Sequence, residues 1–300
     1  MNEAVIQIQN LCVSYGDKHV LTGVDLDVPK GSIYGFLGRN GAGKTTLIKT
    51  LLGLLKADSG SCEILGHDVA KDPLKIRRLA GYMAEDQRMY GWMRVEQIIQ
   101  WVSRFYPNWD AAFTEELLGV LELSKKMKVK ALSKGQNSKL ALLLALGHRP
   151  EVVILDDPTL GLDPIARKEF LRYVIRILQS NRVTVFFSSH LLYEIEPVAD
   201  YIAILDKGKI IKAQKTHMLR EDVRRLVVSD SQPVDWKGIG NVLDVAADGD
   251  RLAVTVENYP AIRQQIRQQT GESFIREVPL NLDEIFEAYI IGNRGERIAV

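Results

Sequence analysis

Apolar and polar residues alternate from position 5 to position 28 around a Gly16-Asp17 turn signal, which predicts short antiparallel strands with one buried face. Residues 32–37 (SIYGFL) replace the alternation with a compact apolar run, expected to be a buried strand. Glycines follow, and from Lys44 the run KTTLIKTLLGLL has helical spacing; another short strand is expected at 60–65. Apolar residues then recur at three- and four-residue intervals through 95–105, 113–123 and 140–146, which predicts an all-helical insert over about 86–150. Residues 152–155 (VVIL) and 183–187 (VTVFF) are β-branched or aromatic runs flanking a helical segment at 164–179. Strand, helix, strand at that spacing indicates a parallel sheet. Residues 201–205 and 210–213, joined across Asp206-Lys207-Gly208, predict a closing hairpin.

A charged helical stretch near 220–225 leads into different material. Residues 242–245 and 252–256 flank a second hairpin signal, Asp248-Gly249, followed by a helix at 261–269, a strand at 273–278 and a helix at 282–290. The expected division is a unit of residues 1–220 and a small α+β accessory domain of residues 221–300. A length of 300 residues is consistent with two domains and a sizeable core.

Thirty-nine Lys and Arg balance 38 Asp and Glu, a net charge of +1, so there is no global positive excess to hold nucleic acid. The longest apolar stretch, LALLLALG at 140–147, falls short of the roughly 18 residues of a membrane-spanning helix. The opening MNEAVIQIQN has neither the basic nor the apolar region of a secretory signal. Two cysteines, Cys12 and Cys62, make no disulfide framework, and a reducing cytoplasmic location is expected.

The first chemistry is at Gly38-Arg39-Asn40-Gly41-Ala42-Gly43-Lys44-Thr45, which fits G-x-x-x-x-G-K-[ST] between a predicted strand and a predicted helix, with Thr46 next. Polyphosphate needs several converging backbone N–H groups; glycines let the chain curl closely enough, and the helix dipole adds to the attraction. Lys44 is expected to reach the β- and γ-phosphates of ATP and the Thr45 hydroxyl to ligate Mg²⁺. Downstream, the strand VVIL ends in Asp156-Asp157-Pro158-Thr159. An acidic residue there is where a P-loop NTPase holds Mg²⁺, and Asp156 is the candidate.

Leu132-Ser133-Lys134-Gly135-Gln136, before a helical run, resembles the LSGGQ signature of the ATP-binding cassette (ABC) family, with Lys134 at the usual first glycine. Taken alone these residues would read as a helix cap formed by Ser133. The resemblance extends over about residues 5–214. Tyr15 matches the aromatic that stacks on adenine, Gly161-Leu162-Asp163 the loop at the dimer interface, and His190 the switch histidine near the γ-phosphate. It implies an ABC-type P-loop fold, α/β with an antiparallel β subdomain and a helical subdomain. It also implies two cassettes paired head to tail, with Ser133, Lys134, Gly135 and Gln136 of one facing ATP held by the other.

Two residues depart from the family pattern. Asp157 stands where the family has the catalytic Glu, one methylene shorter, which is expected to slow hydrolysis unless the backbone compensates. Glu85, in Gly81-Tyr82-Met83-Ala84-Glu85, stands where the family often has Gln, and can offer an oxygen to Mg²⁺ or water; Gln87 is the alternative.

Asn281-Leu282-Asp283-Glu284-Ile285-Phe286 looks like an element that ends many drug-export cassette subunits, and reads equally as an amphipathic helix packing on a sheet. Tyr106-Pro107-Asn108-Trp109-Asp110 resembles a segment of a bacterial exporter-subunit subgroup, or packs inside the insert. The basic runs KIRR (75–78) and KKMKVK (125–130) read as solvated faces. Together these imply an ATP-hydrolysing exporter subunit, with ATP and Mg²⁺, dimeric beneath a separate membrane permease and peripheral on the inner face of the cell membrane. The alternatives are a cassette ATPase acting on ribosomes or DNA, and a slow-hydrolysing switch in which ATP-driven dimerisation is the whole activity.

Overall fold

In the antiparallel strands β1 (Ala4–Tyr15) and β2 (Lys18–Pro29), the alternating residues Ile6, Ile8, Leu11, Val13, Leu21, Val24, Leu26 and Val28 are all buried. The hairpin spans nearly the residues the alternation predicts, but its strands, expected to be short, run to 12 residues each because bulges, one of them between Ile8 and Leu11, reset the alternation without ending the pairing. The computed structural model of the protein describes residues 3–181, 183–190, 195–229, 236, 241–249, 251–270 and 274–294. Strands β4 (Ser59–Ile64) and β5 (His67–Asp68) complete the first sheet in the order β2-β1-β4-β5.

The central sheet has the order β10-β9-β3-β8-β7-β6 and contains β3 (Ile33–Gly38), β6 (Ala80–Met83), β7 (Val152–Asp156), β8 (Thr184–Ser189), β9 (Tyr201–Asp206) and β10 (Lys209–Lys215). All its pairings are parallel except the β9–β10 hairpin. Both faces are covered, which is why its strands are apolar runs rather than alternating ones. Val185 and Phe187 face one cluster, with helices α3 (Val95–Ser103), α4 (Ala111–Val120), α5 (Lys134–Leu146) and α6 (Pro164–Asn181). Phe186 and Phe36 face the other, against the first sheet and α1 (Lys44–Leu51).

Several local expectations change. The segment 81–85, for which the sequence pattern predicts no strand, begins as edge strand β6, which pairs Gly81 with Val153; Gly81 is required because a Cβ there would lie 2.3 Å from the Ala145 carbonyl oxygen. The KIRR run lies in helix α2 (Pro73–Leu79) and is not wholly a solvated face: Ile76 is fully buried, and Arg77 Nη1 donates to the carbonyls of Leu52 and Gly53 at 3.2 and 3.3 Å, closing the end of α1. In YPNWD, Tyr106 stacks on His148 with centroids 4.1 Å apart, Asn108 donates to the His148 carbonyl at 2.7 Å, and Asp110 caps α4. The motif packs inside the insert, against the end of α5.

The charged stretch 220–225 is helical only to Asp222; Arg224–Ser229 is strand β11, between β13 (Arg251–Val256) and β14 (Phe274–Pro279) in a sheet ordered β12-β13-β11-β14, with β12 spanning Val242–Asp248. Burial of Leu226 and Val228 against helix Tyr259–Thr270 outweighs local helix propensity there. The predicted strand start at 273 lies outside the described residues. Helix Leu282–Arg294 contributes Leu282, Ile285 and Tyr289 to the cluster shared with α6 and Leu219. Lys212 on β10 pairs with Asp222 and Glu257 at 3.1 and 3.3 Å, and Tyr289 donates to Glu257 at 2.9 Å.

Candidate nucleotide site

The carboxyl ends of parallel β3, β7 and β8 lie side by side, Leu37 opposite Ser189 and Asp156 opposite Ser188, so three separated sequence motifs meet at one sheet edge. The loop after β3 turns into α1 through Gly41 and Gly43, with φ of +82° and +116°. Gly43 is the N-cap of α1, and a Cβ on it would come within 2.8 Å of Leu21 Cδ2. Left-handed backbone and tight packing both demand glycine there.

Lys44 is 6% exposed; its ammonium donates to the Gly38 carbonyl at 2.9 Å and lies 3.4 Å from Asp157 Oδ2. Asp156 is fully buried, and its Oδ1 accepts from Ser188 Oγ at 2.8 Å and Thr45 Oγ1 at 3.4 Å. Burial pushes its carboxyl above the usual range, partly opposed by those hydroxyls. Its Oδ2 is buried without a hydrogen-bond partner among the described residues. An orphaned carboxylate oxygen beside a threonine hydroxyl is a hard-oxygen donor pair that fits Mg²⁺. No group of three or more His, Cys, Asp or Glu that could hold a metal ion gathers among the described residues, so the ion's remaining ligands would come chiefly from phosphate and water.

Asp157 is 6% exposed with φ of +41°, a left-handed conformation that Asp tolerates better than Glu. Its N–H donates to Ser188 Oγ at 3.0 Å, and its Oδ1 lies 2.8 Å from His190 Nδ1 and accepts the His190 backbone N–H at 3.2 Å. With Nδ1–H as the donor, Nε2 is the ring nitrogen left to act elsewhere.

A cavity of about 680 Å³ runs along this edge, lined by Tyr15, Arg39, Asn40, Gly41, Gly43, Lys44, Thr45, Thr46, Glu85 and Asp157. Tyr15 is half exposed at its rim. A second cavity of about 510 Å³ adjoins the loop and is lined by Arg39, Ala42 and His190. Glu85 reaches the first cavity but makes no hydrogen bond to Thr45 or Asp156; Gln87 lines neither, and its carbonyl accepts from Asn137 Nδ2 at 3.2 Å. Lys18 and His19 also line the first cavity. The sequence reading missed them, and only their place just after Tyr15 hinted at it.

Ser133 to Gln136 line neither cavity. Ser133 caps α5, with Oγ accepting the Gln136 N–H at 3.2 Å and Gln136 Oε1 accepting the Ser133 N–H at 3.0 Å. Gly161 has φ of +75° and lies under Lys134, whose ammonium would be 3.1 Å from a Cβ there. Leu162 is buried, whereas Asp163 Oδ1 accepts the N–H groups of Ile165 and Ala166 at 3.0 Å each and starts α6. Leu160 and Ile165 flank this loop and are 47% and 81% exposed.

A family model described as ABC transporter matches residues 21–160. The bacitracin transport ATP-binding protein BcrA of Bacillus licheniformis is 36% identical over 210 residues, 69% of each chain. The lantibiotic transport ATP-binding protein SrtF of Streptococcus pyogenes is 35% identical over 69% of this chain and 89% of its own. The ABC transporter ATP-binding protein YtrB of Bacillus subtilis (strain 168) is 27% identical over 97% of this chain and 99% of its own. Among solved structures, an ATP-binding subunit of an ABC transporter superposes with a TM-score of 0.64 at 26% identity, over 72% of this chain and 92% of that one.

Proposed function

The chain belongs to the ABC transporter ATP-binding family, and from that premise we propose that it powers export through a separate integral membrane permease, pairing with a second cassette. As a member it is an ATPase subunit. Relatives named for bacitracin and lantibiotic transport support an exporter of antibiotic-type compounds over a ribosome- or DNA-acting ATPase. No described helix is long and apolar enough to cross a membrane, in keeping with action at the inner face of the membrane through the permease. The exposed Leu160 and Ile165 beside Gly161-Leu162-Asp163 support a face for the second cassette, where Ser133 and Gly135 would meet ATP held by the partner.

The observation that carries the reading is the convergence of Lys44, Thr45, Asp156, Asp157 and His190 at one sheet edge. The backbone N–H groups from Gly38 to Thr45 would cradle the polyphosphate, with adenine against Tyr15. Lys44, held by Asp157 and Gly38 in this structure, would transfer its charge to the β- and γ-phosphates. That exchange leaves the Asp157 carboxylate to orient the attacking water, with His190 fixed beside it to meet the γ-phosphate. Thr45, Asp156 and, from the rim, Glu85 are the residues that would hold Mg²⁺. When bound, Mg²⁺ neutralises phosphate charge. Residues 1–220 form the cassette in this reading, with the insert at about 86–150, and residues 221–300 an accessory domain supported by its own sheet and core.

Lys44→Ala tests the site. ATP binding measured by calorimetry should fall beyond detection and turnover should cease, while the melting temperature of the nucleotide-free protein shows that the variant is folded. Parental turnover would overturn the assignment.

A further inference from the structure

The turn Asp206-Lys207-Gly208-Lys209 joins β9 to β10 with Asp206 paired to Lys209, and its two central residues have φ of +46° and +79°. Both are left-handed, as in the two-residue hairpin turn that favours Asn or Gly at its first central position. Gly208 obeys that chemistry: a Cβ there would lie 2.3 Å from the Val20 carbonyl oxygen. Lys207 does not, since a long side chain gains nothing from left-handed backbone and strains it.

The turn is fastened to the phosphate loop. Gly208 N–H donates to the Ala42 carbonyl at 3.1 Å, and the Gly208 carbonyl accepts the Thr22 N–H at 2.9 Å. Lys207 is exposed, makes no ion pair or side-chain hydrogen bond among the described residues, and lines both cavities that flank the loop, one with Lys44 and the other with His190. A cation without an acidic partner is thus held, against the local preference of its turn, beside the loop that cradles phosphate. Leu65, Glu122 and Arg149 share that left-handed backbone but line neither cavity, so it is the place of Lys207 on both cavities beside the loop that singles it out.

We propose that Lys207 is a nucleotide-binding residue whose ammonium contacts the polyphosphate of ATP from the outer side of the phosphate loop. The inference rests on the nucleotide site proposed above and adds a residue from a motif that the phosphate-loop pattern does not contain. Its charge favours ATP and ADP over AMP, because attraction grows with the number of phosphates.

The test measures ATP affinity, with magnesium, for the full chain and for Lys207→Asn, Lys207→Arg and Lys44→Ala. Asn suits the turn, so Lys207→Asn should melt no lower than the parent without nucleotide, yet bind ATP about fivefold more weakly with a smaller loss of affinity at high salt. Lys207→Arg should restore most of the affinity. Parental ATP affinity in Lys207→Asn, or an Arg variant as weak as the Asn one, overturns the inference. If Lys44→Ala loses ATP while Lys207→Asn keeps parental affinity, this inference alone fails; if Lys44→Ala also binds normally, the phosphate-loop site fails with it.

Discussion

Replacing Asp157 by Glu restores the side chain usual in the family, and the structure predicts that it lowers rather than raises turnover. The Asp157 carboxylate is held on two sides, by His190 Nδ1 at 2.8 Å and Lys44 Nζ at 3.4 Å, in a pocket that leaves it 6% exposed. One more methylene moves the carboxylate by about 1.5 Å, so it cannot keep both contacts from the same backbone position. The residue also has φ of +41°, where Asp is tolerated and Glu is strained by about 1 kcal/mol. Overpacking a buried position adds about 1–3 kcal/mol. Half of the combined penalty, expressed in the transition state, corresponds to a fall in kcat of roughly five- to thirtyfold.

The assay is steady-state ATP hydrolysis, with kcat and KM determined for Asp157→Glu and Asp157→Asn. The Asn variant keeps the left-handed turn and the side-chain length but removes the charge; it should retain ATP binding, lose turnover and accumulate as an ATP-bound dimer on size-exclusion chromatography. Glu should show lower kcat with a modest change in melting temperature. A kcat equal to or above that of the parent would show that the short carboxylate limits the chemistry and that the packing argument is wrong.

Two further perturbations probe the contacts that brace the end of α5. A Cβ on Gly147 would lie 2.3 Å from the Trp109 ring, so Gly147→Ala should destabilise the fold by about 1–3 kcal/mol in denaturant titration, and Gly147→Ala with Trp109→Leu should recover most of it; equal losses in single and double variants would refute the clash. Burial lowers the His148 pKa to about 4, so the unfolded chain binds more protons below pH 6.5. Its contribution is fully present above about pH 6.5 and is lost as pH falls toward 4. His148→Phe, which keeps a ring against Tyr106, should therefore flatten the pH dependence of the melting temperature in that window, and an unchanged profile would show that His148 is not its source.

Much of the candidate nucleotide site was legible because phosphate chemistry leaves a contiguous trace. Gly41, Gly43 and Lys44 are neighbours in sequence because one strand, one turn and one helix suffice to curl backbone N–H groups around an anion. Asp156 was readable because a buried strand ending in acid is conspicuous. The strand at 80–83 was not, since four residues containing a glycine carry no period, and only pairing with β7 makes them a strand. The strand at 224–229 was hidden by Arg224 and Arg225, which lie on opposite faces of the sheet and are each satisfied there, Arg225 by Glu284 at 2.9 Å and Arg224 by the Val223 carbonyl at 3.0 Å.

By itself the sequence carried the candidate phosphate loop, the helical character of the insert and the family to which the chain belongs, because those depend on short-range spacing and backbone chemistry. Only the tertiary structure decided that Lys44 rests on Asp157, that Asp157 holds His190 from a left-handed backbone, that Asp156 keeps one buried oxygen unpaired and that the turn at Lys207 is tied to Ala42. Those contacts join residues up to 166 positions apart, Ala42 to Gly208 at the extreme, and parallel pairing of buried strands sets them. Local pattern carries no record of which strand ends will lie side by side.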